Sequence, residues 1–516
     1  MTPLLAPHVM PPANAVASPP PTPAAVPSVR RRADLFFGDI GLLLAVGALL
    51  FGFADPKAST LIQMALAALF ILLADARLIP ALMALQFTVT DFQGGVAASM
   101  ETQYERFEGM VIVIGGLPFT VNYVLLLALL IRVLYDVLTK PRLLRGPLAW
   151  PFVLVWLATM LLAFNNSLLG RDMGNPSWSA PARITLSIGA LWLGAVLARD
   201  RQLLLEVLRR RVAPFVMVVL GLAFCEAVVN RLTWLLVALG ITLAVDAVSG
   251  ANLGRKKPVR ALLLLFLAVA IGFGLRATPA MLELARQRGG SFAATLTTML
   301  VPLLTGGLAW LSRPRPGGPA GRGRSGRAVI ATTTLLYLAF CAFPFVIAAL
   351  TFNADIENRG REQNITLRER IVYKLFFERA AIWRGAIDQI SQPPYIVVPS
   401  GREGYLITNA GRSGKFMVGA HNMVLESLRS GGLLCGGVIL GFFYACVVAA
   451  AVACLVRADA VGRILGPAVI AVIVGTGVSG ASVLDPSLGF FTLLFAGVCI
   501  AGNLESRRRH PYPVTV

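Results

Sequence analysis

Apolar runs separated by short polar intervals follow one another along nearly the whole chain. They occupy about residues 35–54, 59–74, 78–90, 110–134, 147–169, 183–198, 212–229, 232–249, 261–275, 294–312, 328–351, 432–456, 464–483 and 488–502. Runs of this length and density predict helices, several of them shorter than the roughly 20 residues that span a bilayer. Asp75 and Arg77 interrupt the second and third runs, which read as two short passes or one interrupted pass. One large hydrophilic interval, 352–421, stands apart. Within it Leu367–Ile390 reads as an amphipathic helix opened by Thr366 and Glu369 at capping-box spacing and stopped by Pro393 and Pro394. Its apolar stripe runs through Ile371, Val372, Leu375, Phe376, Ile382, Trp383, Ala386, Ile387 and Ile390. Arg379 falls within about 60° of every stripe residue from Val372 onward except Ile387, at about 80°, whereas Arg384 falls on the opposite, polar face. Such a helix lies on the membrane surface or packs over the transmembrane helices.

Composition turns this pattern into a class. Hydrophobic residues make up 56% of the 516, and charged residues only 14%, against about 25% in soluble domains. The expectation is an all-α polytopic membrane protein of about 12–14 transmembrane helices, with one large external loop containing amphipathic helices. The net charge of +20 does not call for a nucleic-acid partner. Its arginines gather between apolar runs at Arg30–Arg32, Arg199–Arg211, Arg255–Arg260, Arg313–Arg327 and Arg507–Arg509, the positive-inside pattern of cytoplasmic loops. Residues 1–33 then read as a Pro-rich, disordered cytoplasmic tail and 34–351 as a bundle with a basic cytoplasmic linker at 313–327. Residues 352–421 form the external loop, 422–502 the C-terminal helices and 503–516 a basic cytoplasmic tail.

The candidate chemistry is sparse. The six cysteines lie almost entirely within apolar runs, and the three histidines are scattered, so neither a disulfide framework nor a metal site is expected. No phosphate-binding glycine loop is present, and no cofactor is expected. A guanidinium on an apolar face must find an anion, pair with an acid such as Asp355 or Glu357, or snorkel out; Arg379 faces that choice. Asn422 is a good N-cap for a short helix MVLESL ended by Gly431 and Gly432. His421, at the positive end of that helix, is then held towards its neutral form, which suits a general base as well as a plain loop hydrogen bond. Arg231 and Arg276 fall on the external side, where the positive-inside rule does not explain them. They are either interfacial anchors or part of a site.

The pattern RAAIW (Arg379–Trp383), then a helix, a Pro/Gly-containing loop and His421-Asn422 before an apolar helix resembles the O-antigen ligase and Wzy-type polymerase superfamily of bacterial membrane glycosyltransferases. His421, Asn422 and Gly432 match the ligase signature H-[NSQ]-x9-G-x-x-[GTY], but Cys435 stands at its last position, with Gly436 one place later. NRLTWLL (Asn230–Leu236) is more weakly similar to the superfamily's Ser-Arg-led helix. The resemblance covers about 360–456. It implies metal-independent transfer of glycan, on the periplasmic face of the inner membrane, from undecaprenyl diphosphate to an acceptor hydroxyl. His421 would be the base, Arg379, Arg231 and Arg276 diphosphate contacts, and Asn422 and Trp383 supporting residues. Partners would be the lipid-linked and acceptor glycans, the bilayer, and a chain-length regulator with other polysaccharide-assembly proteins. Repeat-unit polymerisation is the first expectation, ligation to lipid A core or protein the second. A transporter or flippase is the third, as no internal repeat is evident.

Overall fold

The computed structural model describes residues 29–51, 54–91, 112–114, 117–119, 121–139, 179–224, 232–249, 292–313, 325–350, 378–394, 396–398, 405–408, 415–418, 420, 422–457, 459–479 and 486–509. The tail before Val29, the apolar runs at 147–169 and 261–275, most of the Arg-rich linker and the Thr366–Glu369 capping pair lie outside them.

Helices dominate. In chain order they are α1 (Val29–Phe51), α2 (Pro56–Leu73), α3 (Ile79–Asp91), α4 (Val121–Thr139), α5 (Ser179–Leu197), α6 (Arg201–Val207) and α7 (Ala213–Phe224). There follow α8 (Leu232–Ser249), α9 (Phe292–Ser312), α10 (Gly326–Leu350), α11 (Glu378–Ser391), α12 (Met423–Ala451), α13 (Ala460–Ser479) and α14 (Pro486–Arg509). Four of the described helical stretches, Leu232–Ser249, Gly326–Ala349, Gly431–Arg457 and Ala460–Val478, are long and apolar enough to cross a membrane. Two short antiparallel hairpins, β1 (Ile112–Ile114) with β2 (Leu117–Phe119) and β3 (Tyr405–Thr408) with β4 (Lys415–Val418), complete the set.

Most helices follow the apolar runs, and the departures have local causes. The run at 110–134 is a hairpin followed by a helix. Its β-branched Ile112, Val113 and Ile114 pair across the Gly115-Gly116 connection with Leu117–Phe119. Between α2 and α3 the chain turns at Ala74, whose φ is +49°, and Asp75 caps the following 3-10 turn by accepting from the Arg77 N–H. Burial alone would raise the Asp75 carboxyl, but hydrogen bonds and charge from Arg77 hold it below its ordinary value. The interrupted pair is therefore two helices. Arginine is a good helix former, and α1, α14 and the π-helical turn Leu208–Val212 after α6 carry basic clusters inside the helical backbone rather than in a flanking loop.

The core centres on α13, mostly buried, packed against α8, α9, α12 and α14. α14 lies along α5, where small residues permit close approach. A methyl group at Gly194 would strike the Leu494 backbone, and one at Gly497 would strike that of Leu191. By contrast α10 is mostly exposed, with Leu335, Leu336 and Leu338 on its outer face.

Ion pairs between helices collect at one end of them. Arg211 meets Asp39, Arg201 meets Asp459, and both Arg209 and Arg463 reach the buried Asp246. Arg132 holds Asp136 on its own helix and donates to the Leu72 carbonyl at 2.8 Å, closing the end of α2. These arginines belong to the clusters read as topology signals or lie beside them, so the clusters also join helices. Because Arg463 starts α13 and meets the end of α8, the opposite end of α13, at Val478, lies towards the start of α8.

Candidate functional site

At that opposite end the 422–431 stretch opens α12. Asn422 takes extended φ/ψ and its Oδ1 accepts from the N–H groups of Val424 and Leu425, at 3.0 and 3.1 Å, the geometry of an N-cap. Its amide also donates to the Val478 carbonyl at 3.2 Å, tying the helix start to the end of α13. The side chain is fully buried, so each polar atom needs the partner it has.

Ala420 is held from both sides. The Trp383 Nε1–H donates to its carbonyl at 3.1 Å, and its own N–H donates to Glu426 Oε2 at 2.8 Å. Glu426 Oε1 accepts from Arg429, which is 1% exposed, so a buried guanidinium meets a half-buried carboxylate in the first turns of α12. The pair spans an i,i+3 step, the spacing at which helical side chains meet. Position 421 thus lies between two anchored residues, at the N-terminus of a helix. His421 itself is outside the described residues, as are Arg231 and Arg276. Leu232, the residue after Arg231, starts α8, whose direction sets this position towards the Asn422 end of the bundle.

The stripe on α11 packs over bundle helices. Trp383 and Ala386 are buried with Ala348 of α10 and with Ala420 and Leu425. The Trp383 ring meets Phe343 edge-on, 5.9 Å between centroids. Arg379 lies in the first turn of α11, four residues before Trp383; its side chain is outside the description. Arg384 has a partner that its helical face does not reveal: its Nη2 donates to the Ala348 carbonyl at 3.4 Å, close to the end of α10. A cation near a helix C-terminus complements the carbonyls left free there.

Gly432 breaks α12 without ending it. Its φ is +59°, and Leu433 and Leu434 resume the helix at once, donating to the carbonyls of Ile396 and Val397 at 2.9 and 3.0 Å. A β-carbon at 432 would sit 2.7 Å from the carbonyl oxygens of both Val397 and Val398. Only glycine fits there. One turn on, a β-carbon at Gly436 would meet the Ser427 backbone, so the two halves of α12 pack closely at the break. The expected stop at Gly431-Gly432 is therefore a kink stitched to the loop after α11.

Among the described residues, the structure brings Trp383, on the helix that bears Arg379, to the Ala420 carbonyl beside the N-cap Asn422. Sequence reasoning passed over Glu426 and Arg429, although an acid and a base three apart in an otherwise apolar opening turn signal a paired, buried charge. No family model matches the chain, and none of the curated proteins or solved structures does.

Proposed function

We propose that the chain is an inner-membrane glycosyltransferase that moves an oligosaccharide from undecaprenyl diphosphate to an acceptor hydroxyl on the periplasmic face. Polymerisation of repeat units of an exopolysaccharide or O-antigen is the leading form. What carries the reading is the bracketing of position 421: Ala420 hydrogen-bonded through both backbone groups, and Asn422 capping α12 while bonded to α13. A general base must be held at fixed geometry, and the bonds that cap α12 and tie its start to α13 also fix the residues on either side of position 421.

On this reading His421 accepts the acceptor hydroxyl's proton as that oxygen bonds to the anomeric carbon. The bond from that carbon to the diphosphate oxygen breaks, and undecaprenyl diphosphate leaves. Guanidiniums from Arg379 on α11 and Arg231 ahead of α8, with Arg276, stabilise the departing charge through paired N–H donors. Twelve to fourteen passes, cytoplasmic termini and a periplasmic 352–421 loop belong to the same proposal. The glycine-dependent break at Gly432, at the ligase spacing from His421, keeps ligation as the second reading.

Deleting the gene and extracting lipid-linked glycans tests the assignment. A polymerase deletion leaves single repeat units on their lipid and on any acceptor. Accumulated full-length polymer on undecaprenyl diphosphate would instead support ligation. Oligosaccharide trapped on the cytoplasmic leaflet would overturn both in favour of a flippase.

A further inference from the structure

The stretch after α11 lies inside the interval that the sequence marks as hydrophilic, yet it does not have the surface of a solvated loop. Ile396, Val397 and Val398 are 40%, 54% and 38% exposed, and beside them Leu433, Leu434 and Val438 are 57%, 57% and 39% exposed. The two groups are joined by the hydrogen bonds from Leu433 and Leu434 to the Ile396 and Val397 carbonyls. The patch is thus continuous with the outer face of Gly431–Arg457, one of the helices apolar enough to cross a membrane.

Backbone chemistry separates this stretch from an ordinary apolar loop. Non-helical backbone is tolerated in hydrocarbon only where its polar groups are satisfied by protein. Here the Val397 and Val398 N–H groups both donate to the Pro394 carbonyl, at 3.1 and 3.2 Å, while the Ile396 and Val397 carbonyls accept from α12. Pro393 and Pro394 bring no N–H at all. Side chains point outward and backbone bonds point inward.

We propose that Pro393, Pro394 and Ile396–Val398 form a membrane-embedded plug, seated in the break of α12, whose Ile396–Val398 face contacts lipid hydrocarbon together with Leu433, Leu434 and Val438. The plug carries the loop chain into the bilayer edge immediately after α11 and fixes the depth of the Gly432 kink. It rests on the membrane reading alone and not on glycan chemistry.

Photocrosslinking in proteoliposomes tests it without altering the native cysteines. The full chain carries p-benzoylphenylalanine at Val397, at Val398, at Leu434 or at the exposed Asp388 of α11. After irradiation, adducts are identified by mass spectrometry. Lipid adducts are expected at 397, 398 and 434 and not at 388. Adducts at 434 alone would put the plug in water and overturn the proposal. Protein–protein adducts at 397 and 398 would assign the patch to a partner chain and overturn it too, as would equal lipid labelling at all four positions. Should the bulky group at 397 prevent insertion, the 398 variant supplies the same readout.

Discussion

Two hydrogen bonds converge on Ala420, one from an indole N–H and one to a carboxylate, and they can be removed separately. Trp383→Phe keeps most of the packing against Phe343 but leaves the buried carbonyl of Ala420 without its donor. Thermal unfolding in detergent should show a loss of about 1–3 kcal/mol, with polymer output reduced but not abolished. Glu426→Gln retains an acceptor for the Ala420 N–H but removes the carboxylate charge that faces the buried Arg429, and should destabilise by about 1–3 kcal/mol. Adding Arg429→Met should recover much of that loss, because removing both charges is far cheaper than removing one. If the double variant is no more stable than the single, the ion pair is not the source. Asn422 was legible because an N-cap is a local device with a one-residue signature. Glu426 was not, since its role depends on Ala420 lying within reach, which only the folded turn reveals. The partner of Arg384 was hidden for a related reason: periodicity assigns a face but does not know that the end of α10 comes alongside it.

At the scale of elements, the kink in α12 decides how the site is built. Gly432→Ala forces a positive-φ, extended backbone that is essentially glycine-only on an L residue, at about 1–3 kcal/mol, and adds a clash with two carbonyls of the plug. The melting temperature should fall more than after Gly437→Ala, where an added methyl group meets open space. Equal effects at the two positions would mean that the break is not structurally demanding. A glycine pair in a sequence signals a break but not what enters it. The plug comes from a segment more than thirty residues earlier, beyond any local pattern. The hairpin at 112–119 shows the converse: its Gly-Gly connection and β-branched flank were present in the sequence but submerged in a longer apolar run.

Across the described residues, arginine clusters and the ion pairs that join helices gather at one end, and Trp383, Ala420, Asn422 and Val478 at the other. The positive-inside rule found the first end because charge asymmetry is a sum over many residues. It could not show that Asp39, Asp246 and Asp459 lock those arginines across helices. A cysteine placed at Ser400 should label with a membrane-impermeant thiol reagent added to intact spheroplasts; labelling only after the inner face is exposed would invert the orientation. The most direct measurement is polymer synthesis by His421→Ala, expressed in a deletion strain and matched to wild type for membrane abundance. A lost general base reduces rate by about 10²–10⁴, so the account predicts polymer below detection with undiminished protein, and with Arg379→Lys also severely impaired. Wild-type polymer from His421→Ala at equal abundance would contradict it.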